Sequence, residues 1–200
     1  MIGVVLKSLK DAGIATNTNI IITGDHGFVD ATKNFSPNVL LQQNQLYNTE
    51  AKMKFQAAGG AAFLYAGDKN DQAAIDRVKS LLNALLPEQK KAFRIIEREE
   101  LTRIGANPEV VLGLAMSKDY VATNNVKGEL FSAKKPGGAH GYYPDFAEIN
   151  TGFIAYGPGI NKNRVIDQMS IKDMAPLIAK LLGITFKSPD GVLIPGIIRK

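Results

Sequence analysis

Only a few side chains in this sequence could do chemistry together. The chain has two histidines, His26 and His140, and an aspartate, Asp25, directly beside the first. Imidazole nitrogen and carboxylate oxygen are donor types that hold zinc and related divalent cations, and an imidazole can also contact a phosphate oxygen directly. Both histidines are flanked by glycine, in Gly24-Asp25-His26-Gly27 and in Pro136-Gly137-Gly138-Ala139-His140-Gly141-Tyr142. The second stretch is too rich in glycine to read as helix or regular strand, so His140 is expected in a loop. A lone histidine is more often a satisfied structural side chain. Two of two in glycine-flanked loops, one beside a carboxylate, put metal binding or phosphate contact level with that bland alternative.

A strand must deliver the first pair. Ile20 to Thr23 is a short apolar and β-branched run, the pattern of a strand buried on both faces, and Gly24 ends it. Open α/β sheets collect their ligands just beyond the carboxyl ends of strands, so Asp25 and His26 mark the expected functional edge.

The remaining elements follow from periodicity. Ile2, Val5, Leu6 and Leu9 space as a helix stopped by Gly13, and Pro37 opens a short helix through Leu41. Thr49 to Gln56 and Ala61 to Tyr65 pair as a hairpin, so Glu50 to Tyr65 forms an antiparallel excursion. Asp71 to Leu86 is the clearest helix, with Pro87 after it. Phe93 to Ile96, Val110 to Ala115, Tyr120 to Ala122 and Thr151 to Tyr156 read as strands, and Glu97 to Ile104 as a short charged helix. Asp30 to Asn34 reads as polar loop. Thr123 to Phe146 reads as one long loop, a length that compact domains seldom carry without a functional reason. Ser170 and Asp173 resemble a capping box for a helix ending at Gly183, and Val192 to Ile198 is an apolar tail packed on the sheet. Alternating strands and helices give an α/β sandwich with a mostly parallel central sheet flanked by helices. The charges of Arg94, Glu97, Arg98, Glu99, Glu100 and Arg103 read as a solvated face.

Composition sets the outer limits. The 200 residues are 45% hydrophobic and 22% charged, a globular profile for a single domain over 1–200. The net charge of +5 is scattered, with no basic stripe interleaved with aromatics, which argues against a nucleic acid polymer as partner. There is no cysteine, hence no disulfide framework or thiolate chemistry. The first residues lack the pattern of a signal peptide, and no apolar run approaches the ~20 residues of a membrane span.

Together, Ile20 to Thr23 with Gly24-Asp25-His26-Gly27, then Gly138-Ala139-His140-Gly141-Tyr142, Phe153 to Gly159, and Asp173 to Ile184 resemble the alkaline phosphatase superfamily, in its type I phosphodiesterase/nucleotide pyrophosphatase branch. The resemblance implies a sandwich fold of that type and a hydrolase that cleaves phosphate esters with two zinc ions. On the matching positions it places Asp25 and His26 on one metal and His140 on the other. It also implies elements that this chain does not match: the nucleophilic Thr or Ser, an early aspartate and an Asp-x-x-x-His pair all precede Asp-His-Gly in that family. With two histidines no Asp-x-x-x-His is present, and Thr23, part of the strand, is not a nucleophile. The expectation is therefore a carboxyl-terminal half, incomplete at the amino-terminal side, inactive alone and with partial or no zinc. Its substrate would be a small phosphate ester, and its partner either a further copy of itself or a separate amino-terminal half. A periplasmic or secreted parent is implied by the same resemblance. Sulfatase, phosphonate hydrolase and mutase activities share the metal segments and stay open, as does a binding or scaffold domain that keeps the fold without catalysis.

Overall fold

In the computed structural model, residues 1–48 and 53–199 are described. The elements in chain order are α1 (Ile2–Asp11), β1 (Ile20–Thr23), β2 (Val29–Phe35), α2 (Pro37–Gln43), β3 (Lys54–Ala57), β4 (Ala61–Tyr65), α3 (Gln72–Asn83) and α4 (Pro87–Lys90). They continue with β5 (Phe93–Ile96), α5 (Arg98–Arg103), β6 (Val110–Met116), β7 (Asp119–Ala122), β8 (Phe131–Ala139), β9 (Phe153–Tyr156) and α6 (Met174–Leu181). Two compact units result: Met1–Asp25 with Thr151–Lys200, and His26–Asn150. No described helix is long and apolar enough to cross a membrane.

In the first unit, β1 and β9 form an antiparallel pair, with Ile20 opposite Tyr156 and Ile22 opposite Ile154. Side chains alternate across a strand, so the pair has two distinct faces. Ile21, Phe153 and Ala155 pack on a cluster built from Ile160, Leu177 and Ile197, which is where the apolar tail docks. The opposite face, with Ile20, Ile22, Ile154 and Tyr156, lines a groove of about 370 Å³ together with Leu6 and Leu9 of α1. Ile154 and Tyr156 stay exposed. The strand expected to be buried on both faces is thus half-buried, and Thr23 at its end is exposed. α6 follows a turn of 3-10 helix closed by the expected capping box, in which the Ser170 N–H donates to the Asp173 carboxylate at 2.8 Å. A second N–H, from Val192, donates to the same carboxylate at 2.9 Å and ties the tail to the helix start.

In the second unit the strand orders are β7-β2-β8 and β3-β4-β6-β5. The α/β class matches expectation. The pairing differs from the mostly parallel sheet, because β2–β7 is the only parallel pair among the described residues. Strands joined by short turns must run antiparallel, as β3–β4 does; the part of that hairpin expected over 49–52 lies outside the described residues. β6 is buried along its whole length. Ile75, Val78 and Leu82 of α3 enter the same core, and Asp71 caps that helix by accepting from the Ala74 N–H at 3.0 Å.

Two segments read as loop are strands. Val29, Ala31 and Phe35 are buried and Asp30, Thr32 and Lys33 exposed, with an irregularity between Ala31 and Lys33 that breaks the alternation. β8 contains Pro136, Gly137 and Gly138, yet it lies at a sheet edge, where a missing N–H leaves no ladder bond unmade. Phe35 is the junction of this core, fully buried and stacked on Phe93 at 4.9 Å and Phe131 at 4.8 Å between ring centroids.

Phe35→Ala is expected to cost about 3–5 kcal/mol, the usual loss for a buried phenylalanine, read as a lowered midpoint in urea denaturation. Asp173 gives a pH signature. Hydrogen bonds from the Val192 and Ser170 backbone hold its carboxyl below the ordinary 3.8. A depressed folded pKa adds stability that is complete above the unfolded value and is lost as pH falls below it. Asp173→Asn should therefore lower the melting temperature at pH 7, and the gap from the unmodified chain should close on acidification below about pH 4.

Candidate functional site

The antiparallel register of β2 and β8 sets Val29 opposite Ala139 and Asp30 opposite Gly138. His140 is the first residue after β8, and His26 lies three residues before β2, so the pairing brings both histidines to one end of the ladder. Their imidazoles stack with centroids 4.3 Å apart and planes 9° from parallel. His26 is half-buried and His140 exposed. Two of the three expected site residues are therefore together. Asp25, exposed, directly precedes His26 in the chain and is the last residue of the first unit's opening segment.

Local backbone explains how His26 is held. Its Nδ1 lies 3.0 Å from the Gly27 carbonyl oxygen. A carbonyl can only accept, so Nδ1 donates the proton in that bond. The Gly27 N–H donates to the Ile149 carbonyl at 2.8 Å. A Cβ at position 27 would run into the Glu148 carbonyl, so glycine is required by the close approach of two backbones.

An aromatic ring that sequence reasoning passed over completes the group. Phe28 stands edge-to-face with His26 at 5.3 Å and with His140 at 6.2 Å, and it is 60% exposed. Gly138 leaves room for it, since a Cβ there would sit 3.2 Å from the Phe28 Cβ. The available signal was its place directly after His26-Gly27.

The loop after His140 is anchored on both sides. Tyr142 is buried and its hydroxyl donates to the Tyr120 carbonyl at 2.8 Å. Burial, with a smaller contribution from the Asp119 charge, pushes its phenol up to about 12, so it remains a donor at any ordinary pH. The Tyr143 hydroxyl donates to Glu100 at 2.7 Å, and the Arg94 guanidinium lies over the Tyr143 ring at 4.7 Å. Those bonds, first from Tyr143 and then from Arg94, hold the Glu100 carboxyl below its ordinary range. The surface charges of α5 thus brace this loop as well as meeting solvent. Thr23 donates to the Gly152 carbonyl at 3.0 Å, the behaviour of a structural hydroxyl.

The donor types present suit zinc, but the number does not complete a site: among the described residues no group of three or more His, Asp or Glu side chains could hold a metal ion.

The family model for type I phosphodiesterase/nucleotide pyrophosphatase matches residues 1–143, a span that includes Asp25, His26 and His140. The chain belongs to this family. It is 24% identical over 195 residues to human ectonucleotide pyrophosphatase/phosphodiesterase family member 5, an alignment covering 95% of this chain and 37% of that protein. The solved structure of the human ectonucleotide pyrophosphatase/phosphodiesterase 5 superposes with a TM-score of 0.76 at 19% identity, covering 99% of this chain and 50% of that one. A structure of the murine protein, an inactive variant in complex with AMP, gives 0.73 at 20% identity and covers 98% and 50%. The chain thus has the fold of these structures and spans about half the length of the solved relatives.

Gly27→Ala is expected to cost about 1–3 kcal/mol through overpacking against Glu148 and to displace the His26 ring. Altered His26 ring resonances in NMR spectra, with those of distant α3 unchanged, would show it.

Proposed function

We propose that this chain belongs to a metal-dependent phosphoric ester hydrolase of the phosphodiesterase or nucleotide pyrophosphatase type. In this reading it supplies Asp25 and His26 to one zinc and His140 to a second. It corresponds to the carboxyl-terminal part of one catalytic domain that extends beyond 1–200. The observation that carries the reading is the parallel stack of the two imidazoles. A histidine nitrogen binds a metal in the plane of its own ring, so stacked rings do not share one ion between their faces. Parallel planes within 4.3 Å suit one ion per ring, close to the ~3.5–4 Å spacing of two-metal phosphoryl-transfer sites.

When bound, a pair of zinc ions would polarise the phosphoryl oxygens and stabilise charge on the attacking and leaving oxygens. The chain's own residues orient the donors. The Gly27 carbonyl holds the His26 ring through Nδ1, the usual task of a hydrogen bond behind a metal-bound histidine. Phe28 stands edge-on to both rings. A catalytic zinc usually takes about three protein ligands and an open position, and a nucleophile is also needed. Those groups would come from a further polypeptide segment or, by association, from another molecule. The exposed apolar groove beside α1 and the unpaired edge of β1 are surfaces on which such a segment would add.

The purified chain is expected to retain far less than one zinc and to show no turnover of a chromogenic phosphodiester. Added zinc should still shift the ring resonances of His26 and His140, and His26→Ala or His140→Ala should weaken that response. Zinc that leaves both rings unmoved would refute the ligand assignment. Close to two zincs per chain, with turnover lost in both variants, would mean that the chain already contains the missing donors and a nucleophile. Lasting absence of activity in any longer form that binds zinc would favour the binding or scaffold reading.

A further inference from the structure

The β3–β4 turn, Ala58-Gly59-Gly60, meets the segment His140-Gly141-Tyr142 backbone to backbone. The Gly60 N–H donates to the His140 carbonyl at 2.8 Å. A Cβ on Gly59 would come within 2.5 Å of that same oxygen, and one on Gly60 would enter the Tyr142 ring. On the opposite side, Gly141 has φ +80°, and a Cβ there would run into the Ala58 carbonyl. Three glycines thus allow two chain segments to close on each other where any side chain would hold them apart.

The turn is itself immobilised from two sheets. The Gly59 carbonyl accepts from the Ala122 N–H of β7 at 2.7 Å, and the Gly60 carbonyl accepts from the Met116 N–H of β6 at 2.9 Å. Tyr142 supplies the last fixed point, through its buried ring and its bond to the Tyr120 carbonyl. The His140 ring, by contrast, is exposed, so core packing does not orient it. What orients it is its backbone, the His26 face and the edge-on Phe28 ring.

We infer that Gly59, Gly60, Gly141 and Tyr142 are positioning residues that clamp the His140 backbone and so set the His26–His140 stack. The clamp's use in catalysis rests on the reading of His140 as a metal ligand, but its structural effect does not. A ligand on a loop must be held to within a few tenths of an ångström to serve a preorganised centre, and the clamp replaces the packing that an exposed ring lacks.

The test uses NMR on the intact chain. The unmodified protein is expected to show a cross-peak between the ring protons of His26 and His140, and a Gly60 amide whose hydrogen exchange is slowed at least about tenfold relative to an unstructured amide. Gly60→Ala should abolish the cross-peak. The control is Gly113→Ala, where an added Cβ would press on Ile96 at 3.1 Å away from the histidines; it should lose stability and keep the cross-peak. If Gly60→Ala does not fold, Tyr142→Phe, which keeps the ring and removes only the bond to Tyr120, should weaken the cross-peak and speed Gly60 exchange. An unstructured-like Gly60 amide in the unmodified chain overturns the clamp. So do a full cross-peak in folded Gly60→Ala, equal loss in Gly113→Ala, or no change in Tyr142→Phe. Loss of the cross-peak in Gly60→Ala while zinc fails to shift either ring in the unmodified chain would uphold the clamp and remove the ligand reading.

Discussion

The pairing of β2 with β8 is the interaction on which the candidate site depends. His26 and His140 are far apart in sequence, and an exposed imidazole has little of its own to hold it beside another. The ladder from Val29–Ala139 to Phe35–Phe131 supplies the fixed distance, and Phe35 and Phe131 anchor its far end in the aromatic core. Cross-strand register is all-or-none in its effect on side-chain direction, since a shift of one residue turns every side chain to the opposite face. The irregularity between Ala31 and Lys33 is tolerated because Asn34 and Phe35 recover the pairing beyond it.

The two strands that assemble the site are also the two that the sequence conceals. Helices α1, α2, α3 and α5 and strands β1, β4, β5, β6, β7 and β9 were legible because each carries a local signal: an apolar stripe, a capping residue or a run of β-branched residues. β2 carries polar or charged residues at Asp30, Thr32, Lys33 and Asn34, and the irregularity after Ala31 breaks the alternation that would mark a strand. β8 has Pro136, Gly137 and Gly138, which depress strand propensity everywhere except at an edge or a close approach. Edge position is a property of the sheet, not of the segment, so a reading of the segment could not supply it. Asp25, His26 and His140 stand out in the sequence by type and by flanking glycine, as candidates only. Their juxtaposition does not, nor does the part played by Phe28, whose value depends on what lies beside it.

Glycine does different work at different places around the histidines. Gly27 permits the backbone of the His26 segment to press on Glu148, while Gly59, Gly60 and Gly141 let the turn and the His140 segment meet. In both cases main-chain groups, not side chains, fix the position. Main-chain hydrogen bonds suit this role because they join the segments without engaging side chains, and the bond from His26 Nδ1 to the Gly27 carbonyl extends the same backbone control to a ring.

The donor count then limits what the chain can do with such careful placement. Two stacked imidazoles do not by themselves supply the roughly three protein ligands that a catalytic zinc usually takes, and no larger donor group is present among the described residues. Preorganised donors that are too few to close a coordination sphere have little effect on their own, because a weakly held ion exchanges with water faster than it can orient a substrate. They matter when further donors approach from another segment, since each ligand already in place lowers the ordering cost of the next. The first unit keeps an exposed apolar surface of its own: α1 contributes no buried residue, and Ile154 and Tyr156 remain open to solvent. Around His26 and His140 the backbone thus holds a pair of imidazole donors whose placement is more exact than their number, among the described residues, could use for a metal alone.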